Sequence, residues 1–194
     1  MRIAIVFNDP GETAPDQDVL VQRDAVTVAL RAAGHEIIPV SCTLDLERLL
    51  QILQGLNVDC AFNLVESLGG TDRLACLMPQ LLDAAGIPCT GSGAKAMLST
   101  DEKVWVKQAL RDNGLPAPDW VVGEDTVVTG GTFIIKPRFE HASNGIDDEA
   151  VVSVNSAQEL LASLHRRRRK TGLPLFSERF IEGREFNIAA VVAG

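Results

Sequence analysis

The sequence predicts an α/β protein, an N-terminal doubly wound parallel sheet followed by an α+β region. Three observations carry this. Short apolar runs alternate with amphipathic stretches through residue 90. Turn residues, mostly glycine, separate them. After Gly93 the order changes to a helix, several strands and a further helix. The boundary falls near residue 95, and 194 residues suffice for more than one core.

The elements follow in order. Ile3-Ala4-Ile5-Val6-Phe7 is a continuous apolar run ended by Asn8-Asp9-Pro10-Gly11, which reads as a buried parallel strand. From Asp18 to Gly34, Val19, Val26, Ala29 and Ala33 share one helical face, and Gly34 ends the helix. Residues 36–40 form a second strand. Leu46, Leu49, Leu50 and Leu53 mark a second helix running to Leu56. Residues 60–64 form a third strand, 74–85 a third helix closed by Gly86, and 87–90 a fourth, short strand. Ligands of such sheets bind beyond the carboxyl ends of the strands, here residues 8–12, 63–70 and 91–93.

In the second half, residues 101–113 read as an amphipathic helix and Leu115-Pro116-Ala117-Pro118 as a linker. Strands are expected at 120–122, 132–137, 151–154, 175–181 and 185–192. Ser156-Ala157-Gln158-Glu159 is a capping box that opens a helix to about Arg168.

Composition narrows the function. The formal net charge of −8 disfavours nucleic acid as a partner. Twelve of the 18 Lys and Arg residues lie beyond residue 97, which points an anion site to the second half. No apolar run is long enough to span a membrane, and the N-terminus lacks a signal-peptide pattern. Cys42, Cys60, Cys76 and Cys89 have no C-x-x-C spacing and read as buried free thiols of a cytoplasmic protein. The glycine fingerprints of dinucleotide-binding and P-loop proteins are missing.

Two segments could carry chemistry. Lys136 ends the apolar strand 133–135, where a lysine must either reach water or meet an anion. Pro137 fixes the exit, and a polar loop leads to the turn signal Asn144-Gly145; an ordinary surface hairpin would read alike. Glu178-Arg179-Phe180-Ile181-Glu182-Gly183-Arg184-Glu185 places carboxylates, a cation and apolar residues together. That set suits the edge of adenine and the ribose hydroxyls, or a charged strand edge that resists aggregation. The run Arg166–Lys170 reads as a solvated helix end. Trp105 and Trp120 read as core residues, and the three histidines show no metal-ligand spacing.

Four segments in order resemble the ATP-grasp superfamily, and within it the D-alanine–D-alanine ligases. They are 61–64 with Glu66, Gly69-Gly70, Pro79 and residues 86–93; Asp101–Lys107 with Gly114–Pro118; Ile135-Lys136-Pro137 to Gly145-Ile146; and Glu178 to Glu185. The resemblance implies three parts: a Rossmann-like substrate domain over 1–95, an ATP-grasp small subdomain over 96–176, and the opening strands of a further subdomain over 177–194. It implies that Lys103 and Lys136 contact ATP phosphates and that Ser143 and Asn144 lie in a loop closing over them. Glu178 would accept from the adenine amino group, the backbones of Arg179 and Ile181 would read the adenine edge, and Glu185 would hold the ribose. Asp18 falls where the family keeps an acidic residue near the first substrate's amino group, and Glu66 where the ligases usually have histidine. These two are the catalytic candidates. Ala142 stands where a serine is usual.

The implied reaction is ATP-dependent activation of a carboxylate as an acyl phosphate, then attack by an amine. The implied cofactors are ATP and Mg2+, with the family's metal ligands expected beyond Gly194. The implied partners are a small amino acid or peptide and, as a further option, a second copy in a homodimer, with no nucleic acid or membrane. The alternative is a truncated or non-catalytic ATP-binding protein with a regulatory role.

Overall fold

The computed structural model describes residues 1–9, 14–123, 128–141, 145–186 and 188. The chain forms two compact units. Met1–Val106 with Phe139–Ala142 make the first, and Lys107–Arg138 with Ser143–Gly194 the second.

The first unit is built on a parallel sheet of order β2-β1-β3, from β1 (Arg2–Asn8), β2 (Glu36–Cys42) and β3 (Cys60–Asn63). Ile3 pairs with Ile37 on one side and Cys60 on the other. Central placement explains the continuous apolar run of β1: Ile3 to Phe7 are all buried. Alternation then sends its side chains two ways. Ala4 and Val6 pack with Leu49 and Leu53 of α2 (Leu46–Leu56) and with Met78 and Leu82 of α3 (Leu77–Ala84). Ile3 and Ile5 pack with Val26 and Leu30 of α1 (Ala14–Ala32). Asp45 caps α2 by accepting from the Arg48 amide at 3.1 Å.

Three expectations for this unit are corrected. Residues 87–90 make only a single parallel bridge, Ala61 with Cys89, because Pro88 has no amide to extend the ladder. The expected helix 74–85 starts at Leu77, behind a single 3-10 turn over Asp72–Leu74 capped by the Thr71 hydroxyl. The expected helix 101–113 is α5 (Lys103–Asp112), and a helix the pattern did not announce, α4 (Ala94–Asp101), precedes it. Glu102 breaks them with an extended backbone, φ −90° and ψ 109°. Just before it, the hydroxyls of Ser99 and Thr100 donate back to carbonyls of the previous turn, which weakens continuation. All four cysteines are free; Cys42 and Cys76 are buried, Cys60 and Cys89 partly so. Burial pushes the Cys42 thiol up to about 12.

The second unit holds an antiparallel sheet of order β4-β7-β5-β6, from β4 (Trp120–Val121), β5 (Thr129–Pro137), β6 (Val151–Ser156) and β7 (Leu175–Arg179). β7 runs through residue 177 and lies between β4 and β5. One sheet face carries Phe133, Ile135 and Leu175, which pack against Leu160 and Leu164 of α6 (Ala157–Thr171). Burying each such side chain contributes ~1.5–3 kcal/mol. The Ser156 half of the capping box forms as expected, its hydroxyl accepting from the Glu159 amide, while the Glu159 carboxylate reaches one residue further back and accepts from the Asn155 amide. Gly172 ends α6 at φ 71°.

The basic run on α6 is not simply a solvated end. Arg167 is only 3% exposed and donates to Asp147 Oδ1 at 2.6 Å and to the Gly145 carbonyl at 3.1 Å. Arg168 donates to the carbonyls of Val122 and Leu175. Helical spacing turns these two inward, while His165, Arg166 and Arg169 stay exposed. Trp105, read as core, is exposed. Of the strand expected at 185–192, Glu185, Phe186 and Ile188 are exposed and outside any strand; the remainder lies outside the described residues.

Candidate functional site

The second unit's sheet has another face, opposite α6. Alternation along β5 and β7 puts Ile134, Lys136, Phe176 and Glu178 on it, with Ile134 opposite Glu178 and Lys136 opposite Phe176. Trp120 of β4 stands beside Glu178 in register. Helix α5 adds Lys107 and Arg111. The Arg111 guanidinium lies 4.2 Å from the Trp120 ring centre and bonds Asp119 at 2.8 Å.

Glu178 is the centre of this face and is 8% exposed. Lys136 Nζ donates to Oε1 at 2.6 Å, and Lys107 Nζ donates to Oε2. Burial alone would raise the carboxyl, but the hydrogen bonds and charges of Lys107 and Lys136 outweigh it and hold the group below its ordinary value of 4.5. The sign of the pH dependence follows. The ionised carboxylate contributes stability that is fully present above pH 4.5 and is lost as pH falls through the lower native value. Urea unfolding of the chain is therefore expected to show a stability loss below pH 4.5 that is smaller in Glu178→Gln. Equal acid sensitivity of the two proteins would refute this assignment.

Lys103 sits in the first unit. Its Nζ donates to the Glu140 carbonyl at 2.5 Å. The segment 139–141 is tied down there. The His141 amide donates to Asp72 Oδ2 at 2.7 Å, His141 Nε2 lies 3.4 Å from Asp101 Oδ1, and the Arg73 guanidinium covers the Phe139 ring at 4.2 Å. Glu66 is exposed just after β3, and its amide donates to the buried Asn8 side chain at the carboxyl end of β1. Asp18 is exposed on α1. Arg179 and Phe180 spend their amides on Asp119 and Thr132 carbonyls. Ile181 and Glu185 are exposed beyond β7. Ser143 and Asn144 lie outside the described residues.

The structure thus brings Lys136 and Glu178 together, and adds Lys107, to which the sequence reading assigned no role. Its signal was present: Lys103 and Lys107 are four residues apart in one helical motif, which puts them on one side of α5. Among the described residues no group of three or more His, Cys, Asp or Glu could hold a metal, so no residue is assigned to magnesium. Among them, too, no helix is long and apolar enough to cross a membrane.

No protein-family profile matches the chain. The D-alanine–D-alanine ligase of Pseudomonas entomophila is 32% identical over 197 aligned residues, covering 98% of this chain and 58% of that protein. The D-alanine–D-alanine ligase of Methylococcus capsulatus is 29% identical, covering 95% and 58%. The chain therefore spans less than two thirds of the length of these relatives. Among solved structures, the Bacillus anthracis D-alanine–D-alanine ligase complexed with ATP aligns over 94% of this chain and 60% of its own, with a TM-score of 0.67 and 21% identity. The Helicobacter pylori enzyme aligns over 94% and 67%, at a TM-score of 0.62 and 18% identity. Those likenesses bear on the fold, a parallel sheet with an antiparallel one.

Proposed function

We propose that this chain belongs to an ATP-dependent carboxylate–amine ligase of the ATP-grasp type, similar to D-alanine–D-alanine ligase. In this reading a doubly wound substrate domain over 1–95 precedes an ATP-grasp subdomain that starts at 96 and keeps the whole of β7, and the residues after it open a further one. The observation that carries it is the Lys136–Glu178–Lys107 cluster on one sheet face, in a chain aligned over 98% of its length with a ligase of that name. Two cations on one carboxylate leave a net positive charge beside an acceptor, which suits a nucleotide's phosphate and its base edge. The relatives named as ligases favour catalysis over a purely regulatory ATP-binding role.

The chemistry assigned to the chain's own residues is binding and orientation. Lys136 and Lys103 would offset phosphate charge as an anionic substrate approaches. Glu178 would accept from the adenine amino group, while the Arg179 and Ile181 backbones face the ring edge and Glu185 the ribose. Ser143 and Asn144 would cover the phosphates. Asp18 and Glu66 would flank the substrate at the carboxyl end of the parallel sheet. ATP supplies the phosphoryl group that activates the carboxylate. The described residues show no fit for Mg2+, and no step is assigned to it. A small amino acid or peptide is the substrate in this proposal, and the reducing cytoplasm the setting that suits four free thiols.

Calorimetric titration with a non-hydrolysable ATP analogue tests the reading. The unchanged chain is expected to bind, and Lys136→Ala to weaken binding by about 100-fold, or ~2.7 kcal/mol. An absence of binding by the unchanged chain would sink the proposal.

A further inference from the structure

Glu178 has two cationic partners where a buried carboxylate needs one. They differ in setting. The Lys136 side chain is 29% exposed, so its ammonium has a way to solvent or to a ligand. The Lys107 side chain is 11% exposed, pairs with Oε2, and has the Trp120 ring centre 5.9 Å from its Nζ. Its helix is pinned at the next turn by Arg111, which stacks on Trp120 and bonds Asp119. The groups beside Glu178 are therefore Lys136, Ile134 and Phe176 from the sheet, Trp120 from β4 and Lys107 from α5, and the two lysines bond its carboxylate.

We propose that Lys107 is a positioning residue, the resident counter-ion of Glu178 that frees Lys136 to exchange the carboxylate for an anionic group of a bound nucleotide. This rests on the nucleotide reading above. If Lys136 were the sole partner, turning it toward a phosphate would strand a buried charge, and the carboxyl would take up a proton instead. With Lys107 in place the carboxylate stays ionised through the exchange. An ionised carboxylate only accepts hydrogen bonds. It therefore favours a base with an amino group at its edge and repels a keto oxygen. Base preference is in this way set from a helix, by a residue that need not touch the nucleotide.

Two measurements test this on the full chain, on Lys107→Met and on Lys107→Arg. The first follows the Glu178 carboxyl carbon by NMR through a pH titration without ligand. The second measures binding of AMP-PNP and of the inosine counterpart as a function of pH. In Lys107→Met the Glu178 titration is expected to move up by about one unit or more. AMP-PNP binding is expected to weaken by about tenfold, to fall further as pH drops through the raised value, and to lose its advantage over the inosine nucleotide. Lys107→Arg is expected to restore all three, which a purely structural contact would not require. Should Lys107→Met be poorly folded, Lys107→Met/Glu178→Gln removes both charges and is expected to recover thermal stability without recovering base preference. Recovery of that preference would overturn the inference. Normal AMP-PNP binding with an unmoved Glu178 titration in Lys107→Met would overturn it alone. Failure of the unchanged chain to bind AMP-PNP would overturn the nucleotide reading and the exchange with it, while the titration still decides whether Lys107 holds Glu178.

Discussion

Glu178→Ala is expected to destabilise the chain by about 3 kcal/mol and to abolish binding of an ATP analogue. The magnitude follows from what remains. Removing one member of a buried ion pair costs about 3–5 kcal/mol because its partner keeps its charge in a poor solvent. The Lys107 side chain is 11% exposed and regains little hydration, whereas that of Lys136 is 29% exposed and recovers part of its hydration. The lower end of the range is therefore appropriate. Glu178→Gln keeps two acceptor lone pairs and the shape, so it should cost roughly half as much while still losing the charge-assisted bonds. Urea denaturation of both variants checks the ordering. A Glu178→Ala protein as stable as the unchanged one would mean that the three side chains are not packed as described.

Arg167→Met is expected to cost about 2 kcal/mol, and Lys170→Ala less than 1 kcal/mol, although both residues bond Asp147. Exposure decides the difference. Arg167 is buried and satisfies the Gly145 carbonyl as well as the aspartate. The Lys170 side chain is 55% exposed, so water replaces most of what its pairs contribute. The Arg167 guanidinium beside Asp147 also holds that carboxyl below the usual range. The Gly145 carbonyl is worth holding in place. Gly145 has φ 73°, and an added Cβ would meet Leu173 and Pro137 at about 3 Å, so the chain turns there through a conformation that only glycine adopts easily. Thermal denaturation of the two variants separates the effects; similar midpoints would show that burial of Arg167 contributes little.

The legible parts of this protein are those where local pattern and burial agree. β1 is apolar along its length because it is the middle strand with helices against both faces, and a continuous run announces that position. The capping box at Ser156–Glu159 needed only four residues to be read. Lys136 stood out because a lysine at the end of an apolar strand is costly without a partner, and Glu178 because carboxylates, a cation and apolar residues gather in 178–185.

What failed to show in the sequence has equally local causes. Residues 87–90 are apolar enough for a strand, but Pro88 limits them to one rung. The interruption at Glu102 depends on hydroxyl back-bonding that the amphipathic pattern of 101–113 masks. Arg167 sits in a run of five cations, and composition alone cannot say which of them a helix turns inward. Trp105 is apolar in type and exposed in place.

The sequence by itself determined most of the order of elements, the change from an α/β to an α+β pattern, and the residues from which a nucleotide site could be made. These follow from periodicity, turn chemistry and the cost of charge at strand ends, all of which act over a few neighbours. Only the tertiary structure decided which charges meet. Lys107, Lys136 and Glu178 are separated by 29 and 42 residues and come together because β5 and β7 pair in one register and α5 lies across their face. Register is a long-range property, and a slip of a single residue between β5 and β7 would put Lys136 and Glu178 on opposite faces of the sheet.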